Sequence, residues 1–266
     1  MDVTIKSLAA RHGAVQLAFL RFASGSVFAL GLWLWQRSPM PARAAWRLHA
    51  LRSLLLLVCL VSYFHALTVL PLVQAAAISY LAPLLVSVLA VWWLHERPSP
   101  WLWAALALGL AGVLVSLGPE LLRSVDGATS DRLTGLASAA LAALAFAFVM
   151  LLARRQAQSD SLWTILLLQN VMPASLLALP ASWDWVPLQG TEWQVVALAG
   201  LFATIGLVSL TWSFKHLEAS RVAPLEYTGI VWAAGLGFVF FGETPTSETL
   251  LSAVLIVGGC LLLLRR

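Results

Sequence analysis

Apolar residues in this chain come in long continuous runs. They neither alternate with polar residues nor recur once per helical turn. The runs fall near 14–35, 49–68, 72–94, 100–118, 133–153, 162–180, 193–214, 219–241 and 248–264, with short polar stretches between them. A helix that is apolar all round has no face to offer water and must be buried in protein or in lipid. Roughly 20 such residues, at about 1.5 Å each, cross a hydrocarbon layer of about 30 Å. The pattern therefore predicts nine complete membrane-spanning helices and leaves no room for a soluble domain. A membrane β-barrel would alternate apolar and polar positions along each strand, and these runs do not.

Composition agrees. Hydrophobic residues make up 61% of the chain, charged residues 11%, and mean hydropathy is +0.88. A soluble domain carries about a quarter charged residues. The net charge of +4 does not point to nucleic acid, because the positive residues gather in alternate loops. One set comprises Arg37, Arg43 and Arg47, with Arg52 at the edge of a run, then Arg97, Arg154, Arg155, Lys215, Arg221, Arg265 and Arg266. The other loops hold Arg123 and Arg132 among Glu120, Asp126 and Asp131, or acids alone (Asp184, Glu192, Glu243). The positive-inside rule makes the first set cytoplasmic, which places the C-terminus there and predicts a bacterial-type inner membrane location. Lys6 and Arg11 are local exceptions. Trp33, Trp35, Trp92, Trp93, Trp101, Trp103, Trp183 and Trp185 sit at predicted span ends, as an interfacial belt requires. Cys59 and Cys260 lie inside apolar runs and form neither a disulfide framework nor a zinc motif. Met1–Gly13 lacks the apolar core of a secretory signal.

The second half repeats the first at an offset of 147: Leu70, Tyr80, Leu89, Glu96, Pro98, Leu108 and Gly112 meet Leu217, Tyr227, Leu236, Glu243, Pro245, Leu255 and Gly259. The matches lie in register with runs and loops. An offset of five spans makes the second copy cross the membrane in the opposite sense. Such inverted repeats recur in secondary transporters, with the solute site near the midplane. The expected layout is an all-α polytopic protein of two five-helix halves, 1–118 and 133–266, joined by a periplasmic linker at 119–132. Extending the repeat to Met1–Ala10 leaves roughly 15–17 residues of a first helix unmatched, so the expectation is a ten-helix design with its first helix truncated and either an upstream start or a shortened chain.

The stretches Lys6-Ser-Leu…Leu20-Arg-Phe22, Ala75…Tyr80-Leu-Ala-Pro83…Glu96 and Val222-Ala-Pro-Leu-Glu-Tyr-Thr228…Phe241-Gly-Glu-Thr-Pro245 carry a resemblance to the EamA-domain branch of the drug/metabolite transporter superfamily. The resemblance covers nearly the whole chain. It implies ten helices in two EamA repeats and transport of small organic solutes by alternating access.

Polar groups inside spans are the candidate chemistry, because a charge at mid-helix costs about 2.5–3.5 kcal/mol on insertion scales. Glu226, about 10 Å below the cytoplasmic face, is the only acid well inside a run. It reads as a site for proton coupling or for a cationic solute group, or as a structural acid beside Pro224. Arg21 enters from the other face and could meet an anion, serve a gate, or snorkel to headgroups. Tyr80 and Tyr227 offer rings for stacking and hydroxyls for hydrogen bonding, or pack helices. Gln74, Tyr63, His65, Gln169, Asn170 and Trp212 are further cavity candidates, along with Ser62, Ser79 and Ser209; each could equally bridge helices. Glu96 and Glu243, at span ends, read as structural, tying the loop before a Pro-started helix. Pro83 reads as a helix kink, and Ala105 with Gly109 as a close helix contact.

No Gly-x-Gly-x-x-Gly, Walker, His-Glu-x-x-His or Gly-x-Ser-x-Gly motif occurs, and the aspartates do not pair as a metal-dependent transferase requires. The sequence therefore predicts no catalytic residues, no metal and no cofactor. The expected function is gradient- or exchange-driven movement of a small organic metabolite or drug-like solute. The alternative is a non-transporting membrane enzyme or assembly factor. Expected partners are the solute and the lipid bilayer, not nucleic acid, with a homodimer left open.

Overall fold

The computed structural model describes residues 8, 11–70, 75, 78–96, 100–123, 130–241 and 247–262. Of the sequence candidates, Gln74, Arg97, Pro98, Asp126, Glu243, Pro245, Arg265 and Arg266 lie outside the described residues, as does most of Met1–Ala10.

The described residues are helical. In chain order they form α1 (Ala14–Trp35), α2 (Arg43–Val69), α3 (Ala82–Trp93), α4 (Pro100–Arg123), α5 (Ser130–Ser159), α6 (Leu162–Ala181), α7 (Glu192–His216), α8 (Thr228–Phe241) and α9 (Ser247–Leu262). A lead-in segment precedes α8: one turn of α-helix at Ala219–Val222, then a 3₁₀ turn at Ala223–Tyr227. Among the described residues five stretches are long and apolar enough to cross a membrane: Ala14–Trp35, Ala45–Ala66, Leu133–Ser159, Leu162–Ala181 and Glu192–His216. Ala82–Trp93, Pro100–Val115 and Leu250–Leu262 are shorter apolar helices. The chain is an integral, multi-pass membrane protein. Its exposed surface is correspondingly oily: Val27 in mid-α1 is 70% exposed, and Val239 and Val254 are 71% and 69% exposed. Trp35, Trp92 and Trp183 stand exposed at helix ends, whereas Trp33 turns inward and donates its indole N–H to Thr164 Oγ1 at 3.3 Å.

Two predicted spans are not continuous helices. The run 219–241 breaks at Pro224, whose ring denies the backbone an N–H and crowds the preceding turn; the chain answers with the tighter 3₁₀ turn. The run 72–94 is interrupted by a turn at Tyr80–Leu81, between helical Ile78 and Ser79 and the start of α3 at Ala82. Pro83 follows that interruption directly. It sits in the first turn of α3, where its missing N–H has no partner to lose. Elsewhere ends are conventional. Arg37, at φ 48°, closes α1 in a left-handed turn: its N–H reaches Leu34 O at 3.2 Å, and the Ser38 N–H reaches Trp33 O at 3.3 Å.

The helices group into two compact units, Met1–Leu54 with Leu152–His216, and Leu55–Leu151 with Leu217–Arg266. In the first, α1 packs on α6 and α7. Its crossings are close: a Cβ at Gly25 would stand 2.4 Å from Asn170 Oδ1, and one at Gly200 2.3 Å from Ser24 Oγ. Small residues allow such approach where lipid supplies no hydrophobic drive between helices. In the second unit α4 packs on α9. A Cβ at Gly112 would meet Ile256 and the Ser252 carbonyl, and one at Gly259 the Ala105 carbonyl and Leu108.

Candidate functional site

The second unit contains a cavity of about 370 Å³. One wall is a single stripe of α2: Leu56, Cys59, Leu60, Tyr63 and Phe64, at the i, i+3, i+4, i+7, i+8 spacing that faces one way. Ala142, Ala143 and Phe146 of α5 form another wall, and the two alanines leave the room. The remaining lining comes from the chain breaks: Ser79 and Tyr80 before α3, Ala82 and Pro83 at its start, and Glu226 in the 3₁₀ turn before α8. A continuous helix through either break would carry these side chains elsewhere. The Ser79 hydroxyl donates to the Ala75 carbonyl at 2.9 Å and meets the Tyr63 hydroxyl.

Glu226 is exposed and lines the cavity. Among the described residues no Lys, Arg or His lines it, and none of their ion pairs involves Glu226. The described lining thus carries one formal negative charge among aromatic and aliphatic walls.

Tyr80 and Tyr227 approach each other with ring centroids 6.3 Å apart and planes tilted by 35°, yet their surroundings differ. Tyr80 lines the cavity. Tyr227 is 1% exposed, packed among Leu102, Leu106, Val113, Ile230 and Ile256. Its ring lies over Gly109, where a Cβ would come within 2.2 Å of it. Its buried hydroxyl has no hydrogen-bond partner among the described residues. Tyr227 therefore backs Tyr80 from the core. Ala105 and Gly109 do make close contacts, to Gly259 and Tyr227 respectively. Glu96 reaches beyond its own loop: its carboxylate accepts the backbone N–H groups of Ala219 and Ser220 at 2.8 and 3.0 Å, fixing the start of the lead-in segment.

The other candidates sit apart from this cavity's lining. His65 is exposed and bonds Ser138 Oγ at 3.0 Å. Asn170 is buried against Gly25 and donates to the Leu166 carbonyl of its own helix at 2.8 Å. Gln169 is half-buried, and its Oε1 has no hydrogen-bond partner among the described residues. Trp212 is 57% exposed and stacks on His216 at 4.5 Å. Arg21 is half-buried, with its guanidinium 4.4 Å from the Phe22 ring centre.

Sequence reasoning did not single out Phe64 or Phe146 of the cavity wall, since an aromatic in an apolar run gives no sign of its facing. Nor did it find a buried polar cluster in the first unit. There His49 Nε2 lies 2.9 Å from Asp160 Oδ2, and Arg52 Nη1 donates to Gln156 Oε1 at 2.8 Å. His49, Arg52 and Gln156 are all under 4% exposed. The only signal was an arginine at a span edge one turn after a histidine.

The EamA-like transporter family matches residues 1–118 and 133–265. The pseudopaline exporter CntI of Pseudomonas aeruginosa is 30% identical, with 100% of this chain and 91% of the exporter covered. An S-adenosylmethionine uptake transporter of Rickettsia felis is 27% identical over 99% of this chain and 87% of its own, and a riboflavin transporter of Rhizobium johnstonii 27% identical over 100% and 83%. A crystal structure of another protein shares the fold with a TM-score of 0.80 at 24% identity, covering 97% of this chain and 89% of that one. The chain belongs to the EamA-like transporter family.

Proposed function

We propose that this protein moves a small organic metabolite across the membrane by alternating access, driven by a gradient or by exchange, and that the cavity of the second unit receives the solute. The observation that carries this reading is the cavity itself. Its volume is within the range of about 300–1,000 Å³ usual for small-molecule sites, and beside Tyr63 of α2 its polar groups come from two chain breaks, at Tyr80–Leu81 and Ala223–Tyr227, which share the repeat-equivalent pair Tyr80 and Tyr227. Paired interruptions of this kind mark transporter sites built between repeats. Relatives named for export of pseudopaline and for uptake of S-adenosylmethionine support a metabolite as cargo.

The inverted repeat of two five-helix halves belongs to the same proposal. Its support is the reciprocity of the α4–α9 crossing, where Gly112 meets Ser252 and Ile256 while its counterpart Gly259 meets Ala105 and Leu108. Glu226 is the proposed coupling group, and Tyr63 and Tyr80 are the proposed solute contacts. Loop charges support an inner-membrane location with a cytoplasmic C-terminus.

The test is uptake and efflux of a metabolite panel in vesicles containing the protein, at several pH values. The proposal expects movement of at least one solute, with a pH dependence that Glu226→Gln abolishes. Stable, folded protein that moves nothing across a broad panel would favour a non-transporting membrane enzyme or assembly factor.

A further inference from the structure

We infer that the cavity selects a solute carrying a single positive charge on, or directly beside, a planar apolar group. The inference rests on the reading of this cavity as the solute site and adds the chemical class of what enters it. Glu226 supplies one carboxylate, and among the described residues no basic side chain lines the cavity to neutralise it. A carboxylate flanked by apolar walls attracts a cation more strongly than one in open water does. A neutral solute leaves the carboxylate uncompensated, and an anion adds repulsion.

The walls strengthen the selection. Tyr63, Phe64, Tyr80 and Phe146 give the cavity four aromatic rings within one volume of about 370 Å³. Aromatic faces carry negative quadrupolar charge and hold organic cations, most strongly when water is excluded. Leu56, Leu60, Ala142 and Ala143 offer apolar contact to the rest of the solute. Two features fix this arrangement. Tyr80 is backed by the buried Tyr227. The segment bearing Glu226 is held at its start by Glu96. The Tyr80 ring and the start of the segment bearing Glu226 are thus held before the solute arrives, which lowers the ordering cost of binding.

The test uses the full chain in lipid nanodiscs and three probes: 4-hydroxyphenyltrimethylammonium, its uncharged isostere 4-tert-butylphenol, and 4-hydroxybenzenesulfonate. Calorimetry, corrected with empty nanodiscs, should find the cation bound about tenfold or more tighter than the isostere and the anion not bound. Glu226→Gln should bring the cation down to the isostere's affinity while leaving the isostere unchanged, and Glu226→Asp should keep part of the preference. Equal affinity for cation and isostere, no binding of the cation, or a preference that survives Glu226→Gln overturns the inference. Phe146→Leu and Ala143→Phe separate this failure from failure of the underlying reading. If they weaken the isostere while the cation has no advantage, the cavity is a solute site without charge selection. If they alter neither probe binding nor transport of the protein's own solute, the cavity is not the solute site.

Discussion

Tyr80 and Tyr227 look interchangeable in the sequence, since the repeat pairs them and each lies in an apolar run. Their different surroundings come from a third residue, Gly109, which lets the Tyr227 ring sink against α4. Nothing in the runs gives that depth, because an all-apolar helix has no polar face to show which way a ring points. Two outcomes follow. Tyr227→Phe should leave stability within about 1 kcal/mol of the parent and transport unchanged, since the hydroxyl it removes is buried without a partner. A loss of solute binding in that variant, measured beside a thermal melt, would return Tyr227 to the solute contacts. Gly109→Ala places a methyl where the ring lies and should cost about 1–3 kcal/mol as overpacking. It should weaken solute binding as well, because Tyr80 loses its backing.

At the level of elements α1, α6 and α7 follow the apolar runs within a residue or two, whereas α2, α4 and α5 overrun theirs at one end by five or six. The breaks were only half legible. Pro224 is visible in the sequence, but the 3₁₀ turn around it and the acid that holds it are not, because Glu96 lies 123 residues from Ala219. Glu96→Ala should therefore cost about 1–2 kcal/mol, as loss of a charged cap does, and should lower solute affinity through movement of Glu226. Glu96→Gln, which keeps an acceptor, should retain most of both. In the first unit, α2 is tied to the end of α5 by Arg52–Gln156 and His49–Asp160. Gln156→Leu removes the acceptor of a buried guanidinium and should cost about 3 kcal/mol or more. The double change Arg52→Met with Gln156→Leu should recover most of that loss, since two apolar groups of similar size replace a buried polar pair. Melting temperatures of the two single variants and the double variant read the coupling directly.

Sequence repeats and compact units divide the whole molecule differently. The proposed repeat would cut the chain once, near 119–132. The packing cuts it into Met1–Leu54 with Leu152–His216 and Leu55–Leu151 with Leu217–Arg266. Each unit therefore takes helices from both halves: α1 meets α6 and α7 in one, and α4 meets α9 in the other. Repetition along a chain records like sequences, whereas packing joins whichever helices bring complementary faces, so the interleaving could not be read from the offset of 147. It has a direct consequence for cutting the chain. A fragment of residues 1–118 would hold α4 without α9, exposing Gly112, Leu106 and Val113, which are covered in the whole chain by Ile256 and its neighbours. It would also hold α1 without α6, exposing Phe22 and Ala29, which are 1% and 0% exposed in the intact protein. Between helices in lipid, association rests on such close packing, and a half chain has no partner for it. Residues 1–118 and 119–266 expressed separately should each aggregate or be degraded. Expressed together they should copurify through a tag on one fragment and melt cooperatively. A monodisperse, cooperatively melting 1–118 fragment on its own would show instead that the sequence repeat is the folding unit and that the interleaved packing forms only afterwards.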